Sequence, residues 1–210
     1  MGVVPRIGLL GGSFDPVHRA HVALARAALD ALALDRVELI PAHRPWQRGT
    51  LGAEPAHRLR MLEIACQGDP RLSANPVELQ RSGPTYTIDT LEGLPPQAQY
   101  TWILGADQLT NFCTWHRWQD IIERVHLAVA QRPGADDTPP PELAEALAEG
   151  QGELLRIPFV RLAISATDIR HALRTGLPVD DMLDPNVLEY IRTHHLYSDP
   201  AASLDPKHSL

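Results

Sequence analysis

Short apolar runs alternate with helical stretches along this chain, and no other feature restricts its fold as much. The run at 6–10 (RIGLL) precedes an Ala/Leu-rich stretch at 19–34, with Leu24, Ala27, Ala28 and Ala31 on one side. The run at Arg36–Pro41 (RVELIP) precedes a second helical stretch at 54–67, where Leu59, Leu62 and Cys66 recur at helical spacing. Runs this continuous and this short suit strands buried on both faces, and the intervening helices supply the crossovers that parallel strands need. The fold class expected is α/β, a Rossmann-like parallel sheet with helices on both faces. Further strands are expected at 71–74, 100–104 (YTWIL), 126–130 (HLAVA) and 154–157. Further helices are expected to start at 87–91 and to occupy 118–123, 141–148, 167–174 and 185–193. Such sheets hold ligands beyond the carboxyl ends of their strands, near the point where strand order reverses.

One domain over residues 1–197 is expected, with 198–210 a mobile tail because it lacks periodicity. The Pro-rich stretch 132–141 reads as a loop, since a strand candidate follows it. With 44% apolar and 21% charged residues, a 210-residue chain can build its own core without metals or disulfides. Cys66 and Cys113 are too few for a disulfide framework or a metal knuckle. No apolar run approaches the ~18 residues of a membrane span. The opening residues carry no basic region followed by a long apolar stretch, so a cytoplasmic location is expected. A net charge of −7 argues against a general nucleic-acid surface. Residues 1–60 nevertheless hold eight Arg against five Asp and Glu, and four of the ten His. Basic groups gathered where the glycines lie read as a local phosphate site in an acidic protein.

The most informative stretch follows the first strand, Gly11-Gly12-Ser13-Phe14-Asp15-Pro16-Val17-His18-Arg19-Ala20-His21. Two glycines allow a sharp turn and close approach to a ligand. Asp15 suits a cap, and Pro16 the first position of a helix. A helix N-terminus there favours an anion, and His18 and His21, three apart, project from one helical face. The stretch is read as a phosphate cradle. A structural Gly-Gly turn and a partial metal site are the other readings, the latter without a nearby third ligand. A dinucleotide site is disfavoured by the lack of a G-x-G-x-x-G pattern and of an acidic residue ending the second strand. The second stretch is Ile164-Ser165-Ala166-Thr167-Asp168-Ile169-Arg170, where Ser165 suits a helix N-cap and Arg170 presents a permanent fork of donors. Alone it reads as a capped helix with a surface Arg.

Together the two stretches resemble the nucleotidylyltransferase superfamily, and within it the chain is similar to the bacterial nicotinate-nucleotide adenylyltransferases from Arg6 to Tyr197. Pro84-Thr85-Tyr86-Thr87, Gly105-Ala106-Asp107 with Trp115, and Arg132-Pro133-Gly134 narrow the match. The resemblance implies transfer of adenylate from ATP to nicotinate mononucleotide with Mg²⁺, giving deamido-NAD and pyrophosphate. It further implies that His18, His21 and Arg170 contact the ATP phosphates as the catalytic set. Gly11, Gly12, Ser13 and Phe14 would bind phosphate, Ile164, Ser165 and Thr167 would border adenine and the triphosphate, and Asp107 would meet the ribose. Tyr86, Thr87 and Trp115 would hold the nicotinate ring, and Arg132 would border the nucleotide. No metal ligand from the protein is expected, because the phosphates would hold Mg²⁺. Two positions depart from the family pattern. Ala20 stands at a family glycine, and Pro45-Trp46-Gln47-Arg48 replaces a frequent Pro-His-Lys, so a phosphate contact there is either weaker, at the uncharged Gln47, or supplied by Arg48.

The attacking group would be a phosphate monoester, mostly anionic near neutral pH, so no general base is required and donors suffice. Nicotinamide-mononucleotide or phosphopantetheine adenylyltransfer, and an ATP-holding sensor, are the alternative functions. A class I aminoacyl-tRNA synthetase is disfavoured by chain length and acidity.

Overall fold

The computed structural model describes residues 4–43, 51–81, 83–131, 138–160 and 162–198. Its elements are β1 (Arg6–Gly12), α1 (Arg19–Ala31), β2 (Arg36–Pro41), α2 (Pro55–Cys66), β3 (Leu72–Ala74), α3 (Thr87–Glu92) and β4 (Gln99–Leu104). They continue with α4 (Ala106–Thr110), α5 (Trp118–Ile122), β5 (His126–Gln131), α6 (Pro141–Ala148), β6 (Leu154–Pro158), α7 (Ala166–Thr175) and α8 (Pro185–Thr193).

The strands form one sheet in the order β3-β2-β1-β4-β5-β6, with every pairing parallel. The first three strands build outward from β1, and β4 then returns to its other side. Strand order therefore reverses between β1 and β4, and the crevice beyond their carboxyl ends is where such a sheet holds a ligand.

Side chains alternate across each strand, and the two faces bury separate apolar clusters. Leu10 of β1, Ile103 of β4 and Ala128 of β5 join Ala25, Ala28 and Leu29 of α1, Met61 and Leu62 of α2, Ile169 of α7 and Leu188 of α8. Ile7 and Leu9, Trp102 and Leu104, and Leu127 and Val129 face the other way, onto Ile88 of α3, Leu109 of α4, Ile121 of α5 and Leu143 of α6. Helices on both faces are what continuous apolar strands require.

Several local expectations need correction. The helix expected at 19–34 ends at Ala31, Ala33 takes a left-handed backbone (φ 48°), and Leu34 turns back into the core. Of the expected face, Ala28 is buried and Leu24 and Ala27 pack against the core, but Ala31 is exposed; Ala25 and Leu29 complete the buried stripe. Gly11 and Gly12 make no turn, because they are the last residues of β1. The left-handed residue of the turn is Phe14 (φ 46°), a conformation that disfavours a bulky L-residue by roughly 1–2 kcal/mol. Burial of its ring, 1% exposed, offsets that cost. Gly11 serves close packing, since a Cβ there would lie 2.7 Å from the Trp102 ring. Pro16 does not open a helix, because α1 begins at Arg19 with His18 as its extended N-cap residue.

Candidate active site

A cleft of about 760 Å³ opens at the carboxyl ends of β1 and β4. Its walls include Gly11, Gly12, Ser13, His18 and His21 from the first strand–helix turn, and Ile164, Ser165 and Thr167 from the start of α7. Tyr86, Thr87, Asp107 and Trp115 line it as well. Two stretches some 140 residues apart in sequence thus face one cavity.

Each places a helix N-terminus at the cleft, α1 through His18 and α7 through Ser165. The partial positive charge at those ends favours a bound anion. Ser165 caps α7 as its residue type suggests, its Oγ accepting the Asp168 N–H at 3.1 Å and donating to the Asp168 carboxylate at 2.6 Å.

His18 and His21 stack with ring centroids 3.7 Å apart. The His18 backbone N–H donates to Nδ1 of His21 at 3.2 Å. Because that nitrogen accepts, a neutral His21 carries its proton on Nε2. His18 is 8% exposed, and burial lowers its pKa to about 4, so the free imidazole is neutral near pH 7. Its Nδ1 is buried without a hydrogen-bond partner, which leaves Nε2 as the ring nitrogen able to meet a ligand. Phe14 does not line the cleft. Its ring lies edge-on to His21, centroids 4.9 Å apart, and supports the pair from beneath.

Arg170 comes to the same turn from α7. Its Nη1 donates to the peptide oxygen of Asp15 at 2.6 Å, and its Nη2 to Oγ1 of Thr167 at 3.4 Å. Arg170 stands at the cleft's edge rather than in its wall, with its side chain 22% exposed.

The described arginines of the first sixty residues do not form the cleft. Among the described residues no Arg or Lys lines it. Arg26 pairs with Asp69, Arg36 with Glu38 and Arg60 with Glu63, while the Arg19 Nε donates to the Leu183 carbonyl. Arg58 is a core residue at 1% exposure, its guanidinium donating to the carbonyls of Ser13 (2.8 Å), Ala53 (3.3 Å) and His43 (3.5 Å). Asp15 caps nothing either. Its carboxylate is buried between chain segments distant in sequence.

At the far end of the cleft Tyr86 packs against His116, centroids 4.6 Å apart, and Trp115 packs against Phe112 at 5.3 Å. The Trp115 indole nitrogen is buried without a partner. Asp107 sits in the first turn of α4, a helix too short to leave a periodic signal. Sequence reasoning missed His116 and Glu78, which also line the cleft. Glu78 is 5% exposed and accepts the Thr90 hydroxyl at 2.7 Å. Burial, opposed by that bond and by Arg81, raises its pKa to about 7. Nothing in the residue's type or spacing marked it. Arg132 and the segment Pro45-Trp46-Gln47-Arg48 lie outside the described residues.

Residues 9–172 match the family described as cytidylyltransferase-like. A Bordetella pertussis protein named "Probable nicotinate-nucleotide adenylyltransferase" is 58% identical over 197 residues, covering 94% of this chain and 100% of the relative. A Pseudomonas aeruginosa protein of the same name is 40% identical over 210 residues, covering 93% and 98%. Among solved structures, Plasmodium falciparum nicotinic acid mononucleotide adenylyltransferase complexed with NaAD superposes with a TM-score of 0.72 at 18% identity, covering 92% of this chain and 97% of that one. That superposition concerns the fold alone. A family match over most of the chain, joined to a relative 58% identical along nearly all of it, places the protein in the cytidylyltransferase-like family, among the nicotinate-nucleotide adenylyltransferases.

Proposed function

We propose that this cleft carries out the transfer for which the family is named, moving adenylate from ATP to nicotinate mononucleotide in the synthesis of NAD. The observation that carries the reading is the convergence of the first strand–helix turn and α7 on one cavity, with Arg170 bonded to the turn at 2.6 Å.

A phosphate oxygen of nicotinate mononucleotide attacks the α-phosphorus of ATP. The new P–O bond joins the two nucleotides, the bond from the α-phosphorus to the bridging oxygen breaks, and pyrophosphate leaves with that electron pair. The attacking oxygen is largely deprotonated near pH 7, so the chain needs to place charge stabilisers, not a base. His18 and His21 line the turn side of the cleft, where a ring N–H can donate to phosphate oxygens. The N-termini of α1 and α7 add fixed positive potential, and Arg170 brings the permanent cation at the edge. Donors held rigid before the reaction stabilise charge as it develops without reorganising.

Tyr86, Thr87, Trp115 and the Trp102 wall suit the flat pyridine ring, with Asp107 at the ribose. Ala20 also lines the cleft, so its methyl narrows the space beside the adenosine. Mg²⁺ belongs with the phosphates in this reading. It neutralises their charge when bound, while the donor set of the turn is suited to phosphate oxygens rather than to a cation. The described helices include none long and apolar enough to cross a membrane, and a cytoplasmic location is part of the proposal.

The test is pyrophosphate release from ATP and Mg²⁺ with nicotinate mononucleotide, nicotinamide mononucleotide or phosphopantetheine in parallel. We expect rapid release with the acid nucleotide and at least ~10-fold slower release with the others, the size of penalty that an unpaired polar group in a pocket imposes. A preference for the amide, or binding of ATP without turnover, would overturn the reading.

A further inference from the structure

Asp15 lies inside the phosphate-turn motif but does none of the work its position suggests. It is 2% exposed, and a carboxylate withdrawn from water persists only if its oxygens are satisfied. Oδ2 accepts the Gly52 N–H at 2.7 Å, and Oδ1 accepts the Ala53 N–H at 3.0 Å and the Tyr197 hydroxyl at 2.7 Å. Oδ2 also lies 3.7 Å from Nη1 of Arg170, the same nitrogen that donates to the peptide oxygen of Asp15.

The cluster is close-packed. A Cβ on Gly52 would stand 3.0 Å from the Tyr197 ring and 3.2 Å from Cδ of Arg170, so the absence of a side chain there lets both close on Asp15. Arg58 supplies a second buried cation near the Asp15 carboxylate and holds the neighbouring Ser13 carbonyl at 2.8 Å. An arginine on a helix surface samples many rotamers. Arg170 instead has Nη1 fixed against a residue that three other groups immobilise.

We propose that Asp15 is a positioning residue for adenylyl transfer. Locked by the Gly52 and Ala53 N–H groups and by the hydroxyl of Tyr197, it holds the guanidinium of Arg170 where the nucleotide's phosphates arrive. Tyr197, 182 positions away along the chain, thereby controls the aim of Arg170 without touching substrate. The proposal rests on the reading of Arg170 as a phosphate contact.

Steady-state kinetics on the full chain test it, with ATP and nicotinate mononucleotide varied separately, for Asp15→Asn, Tyr197→Phe, Arg170→Ala and the two double variants containing Arg170→Ala. Asn keeps the shape of Asp15 but turns an N–H₂ group toward donors. We expect Asp15→Asn to lower kcat/KM for ATP by about tenfold or more, the range for charge-assisted hydrogen bonds, and Tyr197→Phe by about threefold, since two other donors still hold the carboxylate. The KM for nicotinate mononucleotide should stay within about twofold. In the Arg170→Ala background each change should cost less than about twofold further, because residues acting through one group are not additive. If Asp15→Asn does not fold, Tyr197→Phe, which removes one oxygen, carries the cycle. Losses that multiply with a large Arg170→Ala loss, or that fall equally on both substrates, overturn this proposal alone. Normal kcat/KM for ATP in Arg170→Ala overturns it together with the reading of Arg170 on which it depends.

Discussion

His18 and Glu78 line the same cleft, and burial moves their titrations in opposite directions, because it disfavours the charged form of each. Unfolded, His18 titrates near 6.5, and folded at about 4. Its contribution to stability is therefore complete above pH 6.5 and is lost as pH falls toward 4. Glu78 moves from 4.5 to about 7, so its contribution is complete below pH 4.5 and is lost as pH rises through 7. Each shift corresponds to roughly 3 kcal/mol, and between about pH 4.5 and 6.5 the two slopes oppose. Stability in that window should be nearly level on their account. His18→Gln removes the rising limb, leaving stability that falls with pH by about 2–3 kcal/mol across the window. Glu78→Gln does the reverse. Urea unfolding at three pH values in the window would check this, and parallel profiles for all three proteins would show that the two groups do not titrate as described.

The end of β1 shows how one strand shapes the cleft. Gly11 faces the Trp102 ring of β4, and a Cβ there would stand 2.7 Å from it, too close to accommodate without moving the ring. Gly11→Ala should therefore cost about 1–3 kcal/mol through overpacking. Trp102→Leu in the same chain should recover part of that loss, since neighbours in contact are not additive. Thermal melts of the two single variants and the double would measure the coupling, and strict additivity would count against the clash. The strands themselves were legible in the sequence, because burial on both faces demands uninterrupted apolar runs and leaves that signature. So was Ser165, whose side chain caps α7 from a position that its residue type announces. What was hidden shares a cause. Arg58 counts among the basic groups read as a phosphate site, yet its partners are the carbonyls of nearby Ala53 and of the more distant Ser13 and His43. Asp15 reads as a cap because its partners at 52, 53 and 197 are remote. The positive φ belongs to Phe14 rather than to the glycines beside it, because tertiary burial of the ring overrides local preference. Local spacing reports the periodicity of an element; it does not report the element's remote neighbours.

Both ends of the chain build the site, so the C-terminal segment should be indispensable to folding. Leu183, Val187, Leu188 and Ile191 are each at most 3% exposed. They cover the same sheet face as α1 and α2. Arg19, the first residue of α1, donates its backbone N–H to the Met182 carbonyl at 3.0 Å and its Nε to the Leu183 carbonyl at 2.9 Å. Burying four such side chains contributes about 6–12 kcal/mol, comparable to the ~5–15 kcal/mol net stability of an ordinary domain. Removing the segment also strips two carbonyl partners from the residue next to His18. A chain ending at Leu177 should therefore lose its cooperative thermal transition and bind no ATP. A chain ending at Ser198 keeps Tyr197 and its bond to Asp15, and should match the full protein in melting temperature and kcat. Calorimetry and turnover of the two truncations decide the matter. A cooperative, active protein ending at Leu177 would mean that α8 is an accessory and that the first turn holds its shape without it.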